Sequence, residues 1–184
     1  MLIVGLGNPE DKYQNTRHNA GMMFMDFLAD KWELKWKKRK DLLCFVAQKD
    51  GLFLAKPLTF MNESGKAVAK LVEKLKIEFK DLYLAHDELD LKLGEWKLTF
   101  GKSSPLHKGV LSVEQYLKTK EFWRLRIGVD NRDSQGRIEG EKYVLQDFPA
   151  SEKAILLKLF KEISQPDFPA CRLKRPEYFD RWFE

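Results

Sequence analysis

Apolar and polar positions change period several times along the chain, and each change predicts an element. Residues 2–6 form an unbroken apolar run closed by Gly7, Asn8 and Pro9. A short run ended by turn formers predicts a buried strand. Over residues 19–32 the spacing of Met22, Met25, Phe27, Leu28 and Trp32 is helical. The basic stretch 35–40 reads as a loop. Residues 42–48 and 52–56 flank Lys49-Asp50-Gly51, a hairpin signal because Asp-Gly accepts positive φ. A helix is predicted to open at Asn62 and run to Ile77, with Ala67, Val68, Leu71, Val72 and Leu75 on one face. Strands follow at 82–85, ending at His86-Asp87, at 95–100 and at 124–129, where Leu125, Ile127 and Val129 alternate. Helices are predicted over 107–117 and over 151–163, the latter with Ser151 as N-cap. Residues 166–184 are broken by proline and rich in aromatics, predicting a loop and a short terminal helix.

Strands alternating with helices imply an α/β fold: three layers, α/β/α, around a twisted, mixed and largely parallel central sheet. No repeat, low-complexity segment or composition break divides the chain, so residues 1–184 are expected to form one domain. In open α/β sheets ligands bind beyond the carboxyl ends of the strands. The polar residues that follow apolar runs are therefore the first functional candidates: Asn8, Asn62 and His86-Asp87. His18 lies in a polar turn segment, Thr16-Arg17-His18-Asn19, just ahead of the first helix.

Composition narrows the class. With 184 residues, 43% hydrophobic and 33% charged, the chain has an ordinary globular make-up. A formal charge of +5 fits a polyanionic partner such as nucleic acid, and equally a solvated lysine-rich face. Cys44 and Cys171 form no C-x-x-C pair and no zinc-ligand spacing, which suggests plain thiols in a reducing compartment. No apolar run approaches the roughly 18–20 residues that cross a bilayer, and the N-terminus lacks the pattern of a signal peptide. A cytoplasmic protein without membrane contact is expected.

The polar segments also carry a resemblance. Gly5-Leu6-Gly7-Asn8-Pro9 with Tyr13 and Thr16-Arg17-His18-Asn19-Ala20-Gly21 resembles the opening signature of bacterial peptidyl-tRNA hydrolases. Phe60-Met61-Asn62-Glu63-Ser64-Gly65 and Ala85-His86-Asp87-Glu88-Leu89-Asp90 resemble the second and third signatures, and Arg124-Leu125-Arg126-Ile127-Gly128 a fourth, less specific block. The resemblance implies a monomeric esterase that uses no metal or cofactor and cleaves the ester joining a peptide to the terminal ribose of tRNA. It makes His18 the general base, Asp87 the carboxylate that orients it, and Asn8 and Asn62 the amides that position substrate and water. Read as residues alone, His18 has the alternative of a solvent-exposed loop histidine, Asp87 of a turn cap, Asn8 of a turn former and Asn62 of a helix N-cap. Tyr13, Phe60 and Met61 would wall the cleft or else belong to the core.

The resemblance fails at one loop. Where the family has a glycine-rich loop ending in His-Asn-Gly, this chain has Gly101-Lys102-Ser103-Ser104-Pro105-Leu106-His107-Lys108-Gly109. His107 and Gly109 match, while the functional asparagine falls on Lys108. An ammonium only donates and adds a charge where an amide both donates and accepts. At a helix start it also opposes the dipole. Either Lys108 donates to the oxyanion or to a tRNA phosphate and turnover survives, or the chain is a catalytically weak RNA-binding protein on the same fold. Phosphate contacts, insensitive to base sequence, are expected from Lys97, Lys102, Lys108, Arg124 and Arg126, with Lys37, Lys38, Arg39 and Lys40 further off. His107 is placed with the substrate contacts. A metal-dependent hydrolase is disfavoured because no H-x-x-x-H or similar spacing occurs.

Overall fold

The computed structural model describes residues 1–102, 104, 106–132 and 138–165. The predicted terminal helix in 166–184, Cys171, Ser103 and Pro105 lie outside the described residues. The strands are β1 (Leu2–Gly5), β2 (Lys37–Arg39), β3 (Cys44–Lys49), β4 (Leu52–Pro57), β5 (Leu82–Lys92), β6 (Trp96–Phe100) and β7 (Trp123–Asp130). They form one sheet in the order β2-β3-β4-β1-β5-β7-β6. The four central strands run parallel, and β2, β3 and β6 pair antiparallel at the margins. The helices are α1 (Ala20–Lys31), α2 (Ser64–Leu75), α3 (Lys108–Leu117), α4 (Gly140–Val144) and α5 (Ala150–Ile163).

The period of two along each strand sorts side chains onto two faces, which explains the unbroken apolar runs. Ile3, Leu54, Ala85 and Leu125 pack against Phe24, Met25 and Leu28 of α1 and Leu156 and Phe160 of α5. Their neighbours Val4, Ala55 and Leu84 face the other way, against Val68 and Leu71 of α2 and Val110 and Val113 of α3. Helices thus cover both faces, as the alternation predicts. The β3–β4 turn has positive φ at Asp50 and Gly51, the requirement that the Asp-Gly pair meets.

α1 lies unusually close to the sheet. A Cβ on Gly21 would stand 2.2 Å from the Ala85 carbonyl oxygen and 2.8 Å from the Leu6 nitrogen. Only glycine permits that approach. It seats the turn just ahead of α1, residues 17–19, over the far part of β5.

Several expected boundaries are corrected. The basic stretch 35–40 is not all loop, because Lys37–Arg39 pairs with β3 as an edge strand. Its charges protect an exposed edge and hide the strand from any apolar pattern. β5 continues past Ala85 to Lys92, so His86 and Asp87 lie inside the ladder, opposite Arg126 and Ile127 of β7. Asn62 is not a helix cap: it sits in a 3-10 turn, Met61–Glu63, ahead of α2. Ser151 is not a cap either, since Pro149 holds the N-cap position of α5. α4 was not anticipated. Cys44 is a buried free cysteine, and burial pushes its thiol up to about 12.

Candidate active site

The carboxyl ends of β1 and β4 and the outer half of β5 open into a cleft of about 520 Å³. Asn8, His18, Asn62 and Asp87 all line it, as do Tyr13, Phe60, Met61, His107, Lys108 and Arg126. Segments distant in sequence therefore meet at one sheet edge.

His18 comes from the turn Arg17–Asn19 and Asp87 from β5. The imidazole Nδ1 stands 2.9 Å from Asp87 Oδ1 and 3.1 Å from Oδ2. A carboxylate only accepts, so Nδ1–H donates and the Nε2 lone pair is left available. A second imidazole meets the same carboxylate: His107 Nε2 lies 2.9 Å from Asp87 Oδ1. The His107 tautomer follows from its other nitrogen. As N-cap of α3, His107 accepts the Val110 N–H on Nδ1 at 3.2 Å, so Nε2 carries the proton and donates to Asp87.

Burial alone would raise the Asp87 carboxyl, but its electrostatic attraction to the His18 and His107 rings and the N–H groups they donate overcome it and hold Asp87 well below the usual carboxylate range. Burial lowers His18, yet Asp87 more than offsets this, and the imidazole lies above its ordinary value; Lys108 pulls weakly downward. His86 completes a cluster holding all three histidines of the chain. It is fully buried and donates from Nδ1 to the Asp87 carbonyl at 2.8 Å. Burial, reinforced by the neighbouring His107, pushes it down to about 3, so it stays neutral.

The two amides are presented differently. Asn8 Oδ1 accepts the Met61 N–H at 2.9 Å, which turns its NH2 group to the cleft. Its backbone is gripped by Asn19, whose Oδ1 accepts the Asn8 N–H and whose Nδ2 donates to the Asn8 carbonyl, both at 2.9 Å. Asn62 is exposed, and among the described residues its amide has no hydrogen-bonding partner. Tyr13, Phe60 and Met61 form cleft wall. Of these Met61 is also core, being 4% exposed.

The remaining candidates are already held by protein groups to different degrees. His107 lines the cleft, and both its ring nitrogens are engaged by protein groups, Nε2 by Asp87 and Nδ1 by the Val110 N–H. Arg124 is fully buried beneath α3 in an ion pair with Glu114 at 2.7 Å. It cannot meet RNA. Arg126 lines the cleft but is held by Glu88 at 2.8 Å. Lys97 and Lys102 are exposed but lie outside the cleft lining, Lys97 beside Arg126 across the β6–β7 ladder. Lys108 opens α3, where its charge faces the helix dipole, and makes a solvent-exposed ion pair with Glu141 of α4 at 2.9 Å. Leu106, Glu88, Glu141, Val144 and Leu145 line the cleft without having been singled out in the sequence. The sequence offered a signal for Glu88, through its place in the third signature, and for Asn19, which grips Asn8, through its place in the first.

His18, Asp87 and His107 bring potential ligand atoms within 4.8 Å of one another, a cluster no sequence spacing announces. The donor set suits hydrogen bonding better than a metal. The Nε2 of His107 is protonated by the argument above, and Asp87 Oδ1 already serves two N–H groups.

The sequence profile of the Peptidyl-tRNA hydrolase family matches residues 2–166. The chain belongs to the peptidyl-tRNA hydrolase family. A peptidyl-tRNA hydrolase of Coxiella burnetii is 41% identical over 176 residues, 91% of this chain and 92% of its own length. One from Akkermansia muciniphila is 40% identical over 155 residues, 84% of this chain and 80% of its own. The crystal structure of the peptidyl-tRNA hydrolase from Acinetobacter baumannii superposes with a TM-score of 0.77 at 31% identity, covering 92% of this chain and 91% of that one. The family fold is thus present, with its central parallel strands framing the cleft.

Proposed function

We propose that this chain hydrolyses peptidyl-tRNA, cleaving the ester between the peptide and the terminal ribose, with His18 as general base. The observation that carries the mechanism is the His18–Asp87 hydrogen bond at the cleft, which leaves His18 Nε2 unprotonated and available. Nε2 takes a proton from water as the water oxygen attacks the ester carbonyl. Asp87 holds the ring and stabilises the imidazolium as it forms. The carbonyl carbon–ribose oxygen bond then breaks, and the imidazolium returns its proton to the departing ribose oxygen, giving free peptide acid and tRNA. The NH2 group of Asn8 and the unengaged amide of Asn62 orient the peptide and the water and polarise the carbonyl.

Exposed Lys97 and Lys102, with Lys108 at the rim, supply phosphate contacts for the tRNA strand. The protein acts as a single-domain monomer in the cytoplasm, where its substrate is made; no described helix is long and apolar enough to cross a membrane. A role limited to RNA binding would leave the base, its carboxylate and both cleft amides without work, and no observation favours it.

The test is release of a labelled N-blocked aminoacyl group from tRNA with chelator present. Turnover is expected to persist in chelator and to fall about 10²–10⁴-fold in His18→Ala. Equal activity in His18→Ala and wild type would overturn the reading.

A further inference from the structure

The turn that carries the base is fastened by its own neighbour in a way the hydrolytic steps do not use. Arg17 is 4% exposed, yet its guanidinium sits among groups from three other segments. Nη1 donates to the carbonyls of Gln146 at 3.1 Å and Asp147 at 2.9 Å, and Nη2 to Glu152 Oε2 of α5 at 2.6 Å. The guanidinium lies over the ring of Tyr143 in α4, 4.2 Å from its centroid, and near Phe148 at 5.2 Å. The other Glu152 oxygen accepts from Asn131 Nδ2 at 3.0 Å, which extends the network to the end of β7. Backbone pairing runs alongside: the Arg17 N–H donates to the Gln146 carbonyl and the Phe148 N–H to the Asn15 carbonyl.

The three residues of this turn thus divide the work. Asn19 grips the Asn8 backbone on one side, His18 faces Asp87, and Arg17 reaches the opposite way into the segment that forms the cleft wall with Val144 and Leu145. We propose that Arg17 is a positioning residue: the Arg17–Glu152 pair sets the angle at which His18 meets Asp87 and ties that angle to the α4 wall. The proposal rests on the hydrolase reading above. Two features favour positioning over packing alone. The planar fork satisfies two carbonyls and a carboxylate while stacking on Tyr143, which no aliphatic or ammonium group can do. Arg17 also keeps Nε buried with no hydrogen-bonding partner among the described residues, a burden that a residue chosen for packing would not carry.

Arg17→Lys and Glu152→Gln are compared with wild type and His18→Ala, using N-acetyl-phenylalanyl-tRNA at saturating and limiting concentrations, with activity scaled to folded protein. The far-downfield Nδ1 proton of His18 is followed by NMR. Arg17→Lys is expected to lower kcat at least tenfold with KM within about twofold, and to shift or broaden the Nδ1 signal although residue 17 does not touch Asp87. Glu152→Gln should do the same more weakly, and it serves alone if the Arg17 variant does not fold. A folded variant set with wild-type kcat and an unmoved Nδ1 signal, whatever its melting temperature, overturns the proposal. If wild type itself fails to turn over, or His18→Ala matches it, the hydrolase reading falls instead.

Discussion

Asp87→Asn isolates the charge of the carboxylate from its shape, and His107 makes the outcome calculable. In wild type, Asp87 Oδ1 accepts from both His18 Nδ1 and His107 Nε2, each at 2.9 Å. The His107 ring is locked by the Val110 N–H, so its Nε2–H demands an acceptor at the Oδ1 position. An asparagine at 87 is therefore compelled to place its amide oxygen there and its NH2 group at the Oδ2 position, 3.1 Å from His18 Nδ1. That oxygen still accepts from Nδ1–H and so keeps the His18 tautomer, but at the expense of an N–H facing N–H contact at the Oδ2 position. What is lost is the attraction for the imidazolium formed during reaction. An opposite charge at this range is worth about 1–3 units of pKa, or about 1.4–4 kcal/mol. The corresponding fall in kcat is about 10- to 10³-fold, below the roughly 10⁴-fold loss seen when such a change flips the tautomer in a serine-protease triad. Adding His107→Phe releases the amide to rotate, so the double variant should lose more than the product of the two single losses. The assay is single-turnover ester hydrolysis across pH 5–9 on N-blocked aminoacyl-tRNA. His18 must be neutral to act and Asp87 raises it; the acidic limb of the profile should thus move to lower pH in Asp87→Asn. A folded Asp87→Asn protein that keeps kcat within about threefold, or whose acidic limb moves upward, refutes the reasoning.

Lys108 exerts the opposite influence on the base, lowering His18 through its charge. Lys108→Asn should move the acidic limb to higher pH, by less than about one unit because the lysine is exposed and screened; a downward shift would contradict this placement. Gly21→Ala pushes a methyl group against the Ala85 carbonyl, and is expected to cost at least about 1–3 kcal/mol, read as a lower urea midpoint; an unchanged midpoint would mean α1 can lift off the sheet freely. His86 predicts acid sensitivity: its folded form resists protonation down to about 3, whereas the unfolded chain takes up the proton near 6.5. Stability should therefore fall as pH drops through that window, by up to about 1.4 kcal/mol per unit, and His86→Phe should flatten the slope of urea-unfolding free energy against pH.

What was legible in the chain, and what was not, follows from which physical signal each feature leaves. The central strands and α1, α2, α3 and α5 bury one face or two, and that imprints a period on the residues. β2 buries almost nothing and holds its place by backbone pairing, so Lys37-Lys38-Arg39 reads as loop. The outer half of β5 is likewise kept extended by its β7 partner, so His86 and Asp87 fall within a strand where apolarity predicts its end. The five-residue α4 is too short to show a helical period. At the site, patterning could nominate polar residues beyond strand ends but not pair them; the His18–Asp87 pairing came from resemblance, and the second hold by His107 from neither. Charge was the least legible quantity. Arg124 and Arg126 sit two apart on one strand and look equally fit for a polyanion, yet Glu114 neutralises the first inside the core and Glu88 the second at the cleft. A sequence counts cations, while only the fold decides which are already answered. The cations still exposed beyond the cleft lining are lysines such as Lys97 and Lys102, while Arg17, an arginine inside a signature, is buried with both terminal nitrogens already bonded to protein oxygens.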